Sequence, residues 1–260
     1  MPGLTFCRES PPTAVRGWRG SGVMMSDDQF SQFLFLLFIA GVVILAAFLV
    51  MYYQRMLRKA YFDAAAELRL SYDYVSYGLP RRLPLVYQLR RGKNRYASNV
   101  FTGRYKGFPV YVFNYHYATG DKNNKVHHTS SIAMLRHDLE MPELHAYPPD
   151  IYEKVGHMAG IDNVEVQTGG EGFSKAFTVL ASNADFARAF CTQGMMEYLL
   201  RHPDMSVELG PGWMATCIQQ RLVPAEIKRR MDQMLKILRV VPSQQTRPIP
   251  SSIGSITSPE

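Results

Sequence analysis

The strongest feature in the pattern of apolar and polar positions is a run of 21 residues near the start of the chain. Residues 33–53 read FLFLLFIAGVVILAAFLVMYY and contain neither a charged residue nor a proline. A helix of this length spans about 30 Å, which is the thickness of the hydrocarbon core of a bilayer. Tyr52 and Tyr53 end the run with the aromatic side chains that membrane interfaces favour. The pattern predicts one transmembrane helix.

A cleaved signal peptide is the competing interpretation of this run, and the flanking residues disfavour it. Asp27 and Asp28 precede the run, whereas a signal peptide begins with basic residues. The run is also longer than the apolar part of a signal peptide, and no pair of small residues marks a cleavage site after it. We therefore interpret the run as a permanent anchor.

Good helix formers continue beyond the anchor, with no proline or glycine before Gly78. We expect the helix to reach about Leu70 and to act as a stalk. Pro80, Pro84 and Gly92 then interrupt a stretch rich in arginine and lysine, which predicts a basic juxtamembrane loop over residues 71–97.

From residue 98 the period of the pattern changes to that of strands. NVFTGRY, FPVYVFNYHY and VHHTSSIAMLR are rich in β-branched and aromatic residues and are separated by glycine, asparagine and aspartate turns. Further strands are predicted at MPELHAYP, VEVQ, FSKAFTVLA, MSVEL and WMATCIQ. The Tyr111, Phe113, Tyr115 and Tyr117 rings fall on one strand face, and we interpret this face as core rather than as a ligand groove.

Helical patterns occur between and after these strands. They are PPDIYEKVGHMAG, ADFARAF capped by Asn183, MMEYLL, and a helix opening near Pro224. In the last helix Ile227, Met231, Met234, Leu235 and Leu238 form an apolar stripe, with Arg230 among the charged residues outside it. The fold class is therefore α+β: a transmembrane helix continues into a stalk, and one compact domain of antiparallel strands packs with two to four helices.

The predicted domain organisation has five parts. Residues 1–29 form a flexible extension, 30–70 the transmembrane helix and stalk, 71–97 the basic loop, 98–242 the α+β domain, and 243–260 a disordered Pro/Ser-rich tail. The extension has no periodicity, which leaves Met24 or Met25 open as alternative starts of translation.

The net charge of +7 is confined to one part of the chain. Residues 54–99 contain ten basic and three acidic residues, whereas residues 100–260 contain sixteen of each. Basic residues near a span stay on the cytoplasmic side, so we expect the N-terminus outside and the domain in the cytoplasm. The neutral domain gives no reason to expect nucleic acid as a partner.

Basic side chains close to an anionic membrane surface gain about 1 kcal/mol each. The residues that this hypothesis involves, which we call the basic set, are Arg55, Arg58, Lys59, Arg81, Arg82, Arg90 and Arg91. The alternative is that they form a solvated face that only reflects membrane topology.

NVFTGRYKGFPVYVFNYHYATG, HHTSSIAML, MPELHAYP, GFSKAFTVLASNADFARAF and MMEYLL together resemble a group of uncharacterised bacterial membrane proteins. In that group an apolar anchor precedes a domain with an F-T-G-x-Y-x-G-x-P-V strand pair. The resemblance covers roughly residues 60–240 and its first block is the most specific part. It implies the bacterial inner membrane and the architecture given above, and it implies no activity.

Candidate catalytic residues are few. His116, His127 and His128 could meet across two strands and bind zinc, although no HExxH or paired-cysteine motif accompanies them. Ser174 stands in a GFSKA motif, but a nucleophile elbow needs the strand before the serine rather than after it. Cys191 and Cys217 lie on apolar elements, where a free cysteine behaves as a small hydrophobic residue.

These observations favour a non-catalytic protein- or lipid-interaction module without a cofactor. Its expected partners are the bilayer through residues 33–53, anionic lipid headgroups, and a protein that the sequence does not identify. The alternative is a membrane-tethered hydrolase or metal-dependent enzyme that uses the His116–His128 region.

Overall fold

A computed structural model describes residues 27–83, 87–90, 92–121, 124–151, 164–167, 170–242 and 247–248. These residues belong to two compact units, of which the first ends at Gln54 and the second begins at Arg55. Helix α1 covers Asp27–Leu68 and is long and apolar enough, by length and composition, to cross a bilayer. The apolar side chains of residues 33–53 are exposed. The predicted N-terminal extension falls almost entirely outside the described residues.

The end of α1 belongs to the folded domain. Tyr61 and Ala65 are buried in its hydrophobic core, and the Tyr61 hydroxyl donates a hydrogen bond to the Leu222 carbonyl. The helix therefore continues past the apolar run, as predicted, but its last turns are packed and do not form a free stalk.

The prediction of a loop over residues 71–97 is wrong for most of that segment. Strand β1 (Ser71–Ser76) pairs with β2 (Lys93–Tyr105), and a short helix α2 (Leu79–Arg82) and a 3-10 turn (Tyr87–Arg90) lie between them. The reason is burial: Leu83 and Leu89 insert into a hydrophobic cluster, and Gln88 beside them is also buried. We call Leu83, Gln88 and Leu89 the cover residues.

The strands that follow β2 are β3 (Phe108–Thr119), β4 (Val126–Arg136), β5 (Leu139–Glu140), β6 (Leu144–Tyr147), β7 (Val164–Glu165), β8 (Thr178–Ala181), β9 (Met205–Gly210) and β10 (Trp213–Ile218). Among the described residues, nine of the strands β1 to β10 form the main antiparallel sheet, in the order β1-β2-β3-β4-β10-β9-β6-β8-β7, and β5 lies outside it. The hairpin of β2 and β3 turns at Lys106 and Gly107, with φ angles of 48° and 92°. Positive φ at both central positions gives the turn a twist that matches the strands. The strands predicted from FPVYVFNYHY, VHHTSSIAMLR, MSVEL and WMATCIQ are confirmed.

The helices that follow are α3 (Glu171–Ala176), α4 (Ala184–Phe190), α5 (Gln193–Leu200) and α6 (Ile227–Val240). The Asn183 cap is confirmed, since its side chain accepts a hydrogen bond from the Phe186 amide at 2.9 Å. The strand predicted over FSKAFTVLA is only half correct. An ion pair between Glu171 and Lys175 at 2.7 Å and burial of Phe173 favour a helical turn before β8 begins.

Successive residues of the central strands point to opposite faces of the sheet, and each face has its own core. Val112 belongs to the larger cluster, which holds the end of α1 and helices α3 to α6. Phe113, Tyr115 and Tyr117 belong to the second cluster, which Leu83 and Leu89 complete. The interpretation of the aromatic strand face as core is therefore confirmed.

Arg230 is buried, although the sequence places it among the charged residues outside the apolar stripe of α6. Its side chain is only 1% exposed, and Nη2 donates to the Ser131 carbonyl at 3.2 Å and the Thr216 carbonyl at 3.5 Å. Burial lowers the pKa of this guanidinium to about 10, which leaves it charged at neutral pH. The carbonyl oxygens of two strands satisfy part of its hydrogen-bonding capacity.

Two predicted segments lie mainly outside the described residues. The helix predicted at PPDIYEKVGHMAG is described only over residues 149–151, where it is helical. In the tail predicted to be disordered, β11 (Arg247–Pro248) pairs with β5, so the prediction of disorder is wrong for these two residues.

Candidate functional site

A groove with a volume of about 800 Å³ lies where β1 ends and β2 begins. The residues that line it are Tyr77, Gly78, Arg81, Gly92, Lys93, Asn94, Arg95 and Tyr96. All of them come from the segment in which the sequence predicts a loop. The volume falls within the range of small-molecule pockets, which is about 300–1,000 Å³.

An irregularity at the start of β2 explains why four successive residues face one cavity. The register between β2 and β3 shifts between Lys93 and Tyr96, and Asn94 has a positive φ of 53°. In a regular strand every second side chain would point to the other face. The irregularity redirects the chain, as β-bulges do near functional sites, and places Lys93, Asn94 and Arg95 along the same groove.

Gly92 is required at the tight base of the groove. Its φ is +70°, and a Cβ atom there would lie 2.6 Å from Tyr117 Cδ2 and 2.7 Å from the Ala118 carbonyl oxygen. Both contacts are shorter than real Cβ contacts, and one involves backbone that cannot move easily. The backbone of β2 therefore approaches β3 at a distance that only glycine permits.

The groove is cationic. Arg81, Lys93 and Arg95 line it, and no carboxylate is among its lining residues. Arg95 Nη1 donates to the Leu89 carbonyl at 3.0 Å, which fixes one side of that guanidinium. Arg81 and Lys93 form no side-chain hydrogen bond or ion pair with any residue that the structure describes. Their charges are available to an anionic ligand.

Aromatic rings form one wall of the groove. The Tyr77 and Tyr96 rings lie 5.8 Å apart with an interplanar angle of 42°, and Tyr77 is 73% exposed. Tyr96 stacks on His116 with a centroid distance of 4.5 Å. The His116 ring packs face to face against Tyr96 and holds it in place. Tyr77 presents its ring to the groove and to solvent.

The cover residues connect the groove residue Arg95 to the strands of the sheet through hydrogen bonds. The Leu89 carbonyl accepts hydrogen bonds from Arg95 and from the buried Tyr115 hydroxyl, each at 3.0 Å. The Gln88 amide donates to Glu208 Oε1 at 3.3 Å, and its side-chain amide donates to the Ser206 hydroxyl. Glu208 also accepts from the Tyr147 hydroxyl at 3.0 Å.

His116 is a structural residue of this site. Its Nε2 lies 2.7 Å from the Ser98 hydroxyl and its Nδ1 lies 3.1 Å from the Thr129 hydroxyl. Burial, and then the charge of Arg221, lower the pKa of the imidazole, so the neutral form is favoured. With both nitrogens engaged, His116 has no lone pair directed at a metal.

The structure does not bring His116, His127 and His128 together as one set of metal ligands. His127 pairs with Ala118 and lies on the same face of the sheet as His116, whereas His128 does not. His116 is paired with Thr129, and His128 with Tyr117, so the two imidazoles lie on opposite faces of the sheet. His128 Nε2 lies 2.7 Å from the Thr119 hydroxyl. Within the described part of the chain no three histidine, cysteine or acidic side chains are grouped as metal ligands.

The other candidate nucleophiles do not form an active site. The sequence predicts that Ser174 opens a strand, whereas the structure places it in a helix. Ser174 lies in α3, which precedes β8, so the strand–serine–helix order of a nucleophile elbow is reversed. Cys191 and Cys217 are free and buried.

The residues of the basic set lie in different parts of the structure. Arg55, Arg58 and Lys59 are exposed on α1, and the Arg58 guanidinium lies 4.3 Å from the centroid of the Tyr74 ring. Of the remaining residues only Arg81 lines the groove, Arg82 and Arg90 are exposed outside it, and Arg91 lies outside the described residues.

Sequence reasoning missed Lys93, Arg95 and the two groove tyrosines as site residues. The sequence KNRY places two cations beside an aromatic residue directly after Gly92. Because glycine before a strand often marks a bulge or a close backbone approach, this pattern could have indicated the site.

Comparison with known proteins gives one informative likeness. No protein-family model and no curated protein matches the chain. The fold is similar to the crystal structure of the mycobacterial trehalose monomycolate transport factor A, TtfA, with a TM-score of 0.54 and 18% sequence identity. The similarity covers 75% of this chain and 99% of the TtfA chain. At this level of identity the likeness shows a shared fold.

Proposed function

We propose that the protein is a single-pass, membrane-anchored, non-catalytic module that binds the anionic headgroup of a lipid in its groove. The observation that carries this proposal is the combination of three cationic side chains with the absence of any carboxylate from the groove lining. Charge-assisted hydrogen bonds to phosphate are about twice as strong as neutral ones, so such a groove favours a phosphate-bearing ligand.

The anchor belongs to the same proposal. Helix α1 has the length and composition of a membrane span over residues 33–53, and its exposed apolar side chains need a hydrocarbon environment. The name of TtfA describes a trehalose monomycolate transport factor, and this is compatible with the lipid-binding role that we propose for this chain.

The location follows from the charge distribution. The proposed membrane is the bacterial inner membrane, with the N-terminus outside and the domain in the cytoplasm. Arg55, Arg58 and Lys59 directly after the span support this orientation, because positive residues near a span remain on the cytoplasmic side. The proposal also includes a protein partner, which pull-down from solubilised membranes would identify.

Native mass spectrometry of the full chain tests the headgroup site. The chain is released from detergent micelles that contain either phosphatidylglycerol or phosphatidylcholine, and the retained lipid is counted. We expect retention of phosphatidylglycerol, and we expect a combined Arg81→Gln, Lys93→Gln and Arg95→Gln variant to retain about tenfold less.

The matched control removes three exposed cations elsewhere, through Lys125→Gln, Arg136→Gln and Arg239→Gln. Both variants change the net charge by the same amount, so a general electrostatic effect would lower lipid retention equally in both. Equal retention of the two lipids by the wild-type chain, or equal losses in the two variants, contradicts the proposal.

A further inference from the structure

We propose that the ligand of the groove is a phosphorylated sugar or cyclitol, with the phosphoryl group on Arg81 and Lys93 and the ring against Tyr77. This inference rests on the proposed function, because it names the class of headgroup that the groove accepts. The same chemistry occurs in a lipid headgroup and in a free sugar phosphate, and the experiment below distinguishes the two sources.

The phosphoryl group is assigned from the positions of the charges. Arg81 and Lys93 approach the groove from α2 and from β2, and no described residue neutralises either side chain. Arg95 is fixed by the Leu89 carbonyl through Nη1 and faces the same cavity. The three cationic side chains repel one another, and no carboxylate among the described lining residues offsets this repulsion. A bound anion would offset it, and a phosphate group has enough oxygens to accept hydrogen bonds from all three side chains.

The size of the groove admits a ligand larger than a phosphate ion. A volume of about 800 Å³ is that of a pocket for a drug-sized molecule. The charged side chains and the tyrosine side chains line the same cavity, so a ligand that fills it presents an anionic part and an uncharged part.

The uncharged part is identified by the tyrosines. Tyr77 is 73% exposed, although a tyrosine ring normally gains by burial, and its ring is held beside that of Tyr96. A sugar or cyclitol ring can cover such a ring with its C–H groups, while its hydroxyls remain directed at Asn94 and at water. Asn94 supplies both a donor and an acceptor for these hydroxyls.

The geometry disfavours a nucleobase held between the two tyrosine rings. A planar base held between two aromatic rings needs them parallel and about 7 Å apart, because each contact takes about 3.5 Å. The Tyr77 and Tyr96 centroids are 5.8 Å apart and the ring planes are inclined by 42°. A non-planar ring can rest on Tyr77 alone without requiring this space.

Isothermal titration of the full chain in detergent with four soluble probes tests the assignment. The probes are glucose 1-phosphate, myo-inositol 1-phosphate, glycerol 3-phosphate and AMP. We expect the two ring phosphates to bind about five- to tenfold more tightly than glycerol 3-phosphate, since their rings cover the apolar face of Tyr77 and glycerol 3-phosphate has no ring. We expect AMP to bind more weakly than glucose 1-phosphate.

Two single substitutions separate the parts of the site. Tyr77→Leu, at an exposed position, should reduce the preference for ring phosphates over glycerol 3-phosphate to about twofold or less, since the stacking face is removed. Arg81→Gln should weaken ring phosphates and glycerol 3-phosphate alike by about tenfold. Arg239→Gln, an exposed substitution on α6, is the control and should change none of the affinities.

The outcomes distinguish this inference from the proposed function. If all the phosphates bind equally and all depend on Arg81, the anionic site stands and the sugar assignment is wrong. Tighter binding of AMP also overturns the assignment. If no soluble phosphate binds in an Arg81-dependent manner, both proposals fail.

The lipid source is tested by a competition experiment. Full chain in nanodiscs with 10% phosphatidylinositol, or with phosphatidylcholine alone, is titrated with myo-inositol 1-phosphate. A lipid headgroup in the groove should raise the apparent Kd of the soluble probe by about fivefold or more in the first nanodisc, since lipid and probe compete for one site. An unchanged Kd together with tight binding of the probe assigns the groove to free sugar phosphates.

Discussion

Glu208 is 1% exposed, and its carboxylate accepts hydrogen bonds from the Gln88 amide at 3.3 Å and the Tyr147 hydroxyl at 3.0 Å. A Glu208→Leu substitution would remove this acceptor from both donors, although the Tyr147 hydroxyl also lies 3.3 Å from His145 Nδ1. A buried group left unpaired costs about 1–3 kcal/mol, so we expect the free energy of unfolding to fall by about 1–3 kcal/mol. Glu208→Gln keeps an acceptor oxygen and should cost less.

Urea unfolding of the full chain in detergent, followed by intrinsic fluorescence, measures both changes. Glu165→Gln is the control, since Glu165 is exposed on β7. A loss in Glu208→Gln as large as in Glu208→Leu would contradict the assignment of this stabilisation to the hydrogen bonds that Glu208 accepts.

His116 and His137 make the stability depend on pH. Burial is the main cause that lowers the pKa of each imidazole below its ordinary value of 6.5. The unfolded chain therefore binds protons first as the pH falls, so their contribution to stability is complete above pH 6.5 and is lost below it.

We expect the free energy of unfolding to fall between pH 7.5 and pH 5.5, and to fall less in a His116→Gln variant because one titrating group is gone. Urea titrations at the two pH values measure this difference. The same pH-dependent loss in wild type and variant would assign the effect to other groups.

At the level of elements, strands were predictable where both faces are buried. Residues 108–119 and 126–136 are rich in aromatic and β-branched side chains because the sheet has a core on each side. Residues 71–97 gave the opposite result. Their arginines and prolines are typical of a loop, and the residues that enter the core, such as Leu83, Leu89 and Ala97, are too far apart in sequence to form a strand pattern.

Leu89→Ala tests the role of this cover. Leu89 is 1% exposed, so the substitution should lower the free energy of unfolding by about 2–4 kcal/mol through the cavity that it leaves. Val126→Ala, at a residue that is 54% exposed, should cost less than about 0.5 kcal/mol. Urea unfolding of both variants provides the measurement, and similar losses would contradict burial of the cover.

The groove itself was only partly predictable. Net charge along the chain indicated that the basic residues after the span matter, and Arg81 was among them. The convergence of Lys93 and Arg95 depends on the register shift at the start of β2 and on the positive φ angles of Gly92 and Asn94. Such a local irregularity is fixed by packing between strands, which a pattern of hydrophobic positions does not contain.

At the scale of the whole molecule, the proposed orientation predicts which side of the membrane the domain occupies. Cys191 and Cys217 are 7% and 2% exposed and would label poorly from either side. A cysteine-free chain carrying Lys125→Cys, at an exposed position, is suitable instead. With an impermeant maleimide we expect labelling only after the cells are permeabilised.

A second variant, Asp27→Cys, places a thiol before the span and should label in intact cells. Labelling of Lys125→Cys in intact cells, with protection of Asp27→Cys, would invert the proposed topology.

The position of β10 beside β4 in the sheet has a consequence for how the chain folds. Strands β2, β3 and β4 are joined by short connections, whereas β10 pairs with β4 only after a long intervening stretch of chain has been synthesised. Pairs that are far apart in sequence form slowly because closing the loop between them costs entropy. We expect pulsed hydrogen exchange to protect β2 and β3 before the β4–β10 pair. Until that pair closes, β4 presents an apolar open edge, and a nascent chain at this stage is exposed to aggregation and to chaperones.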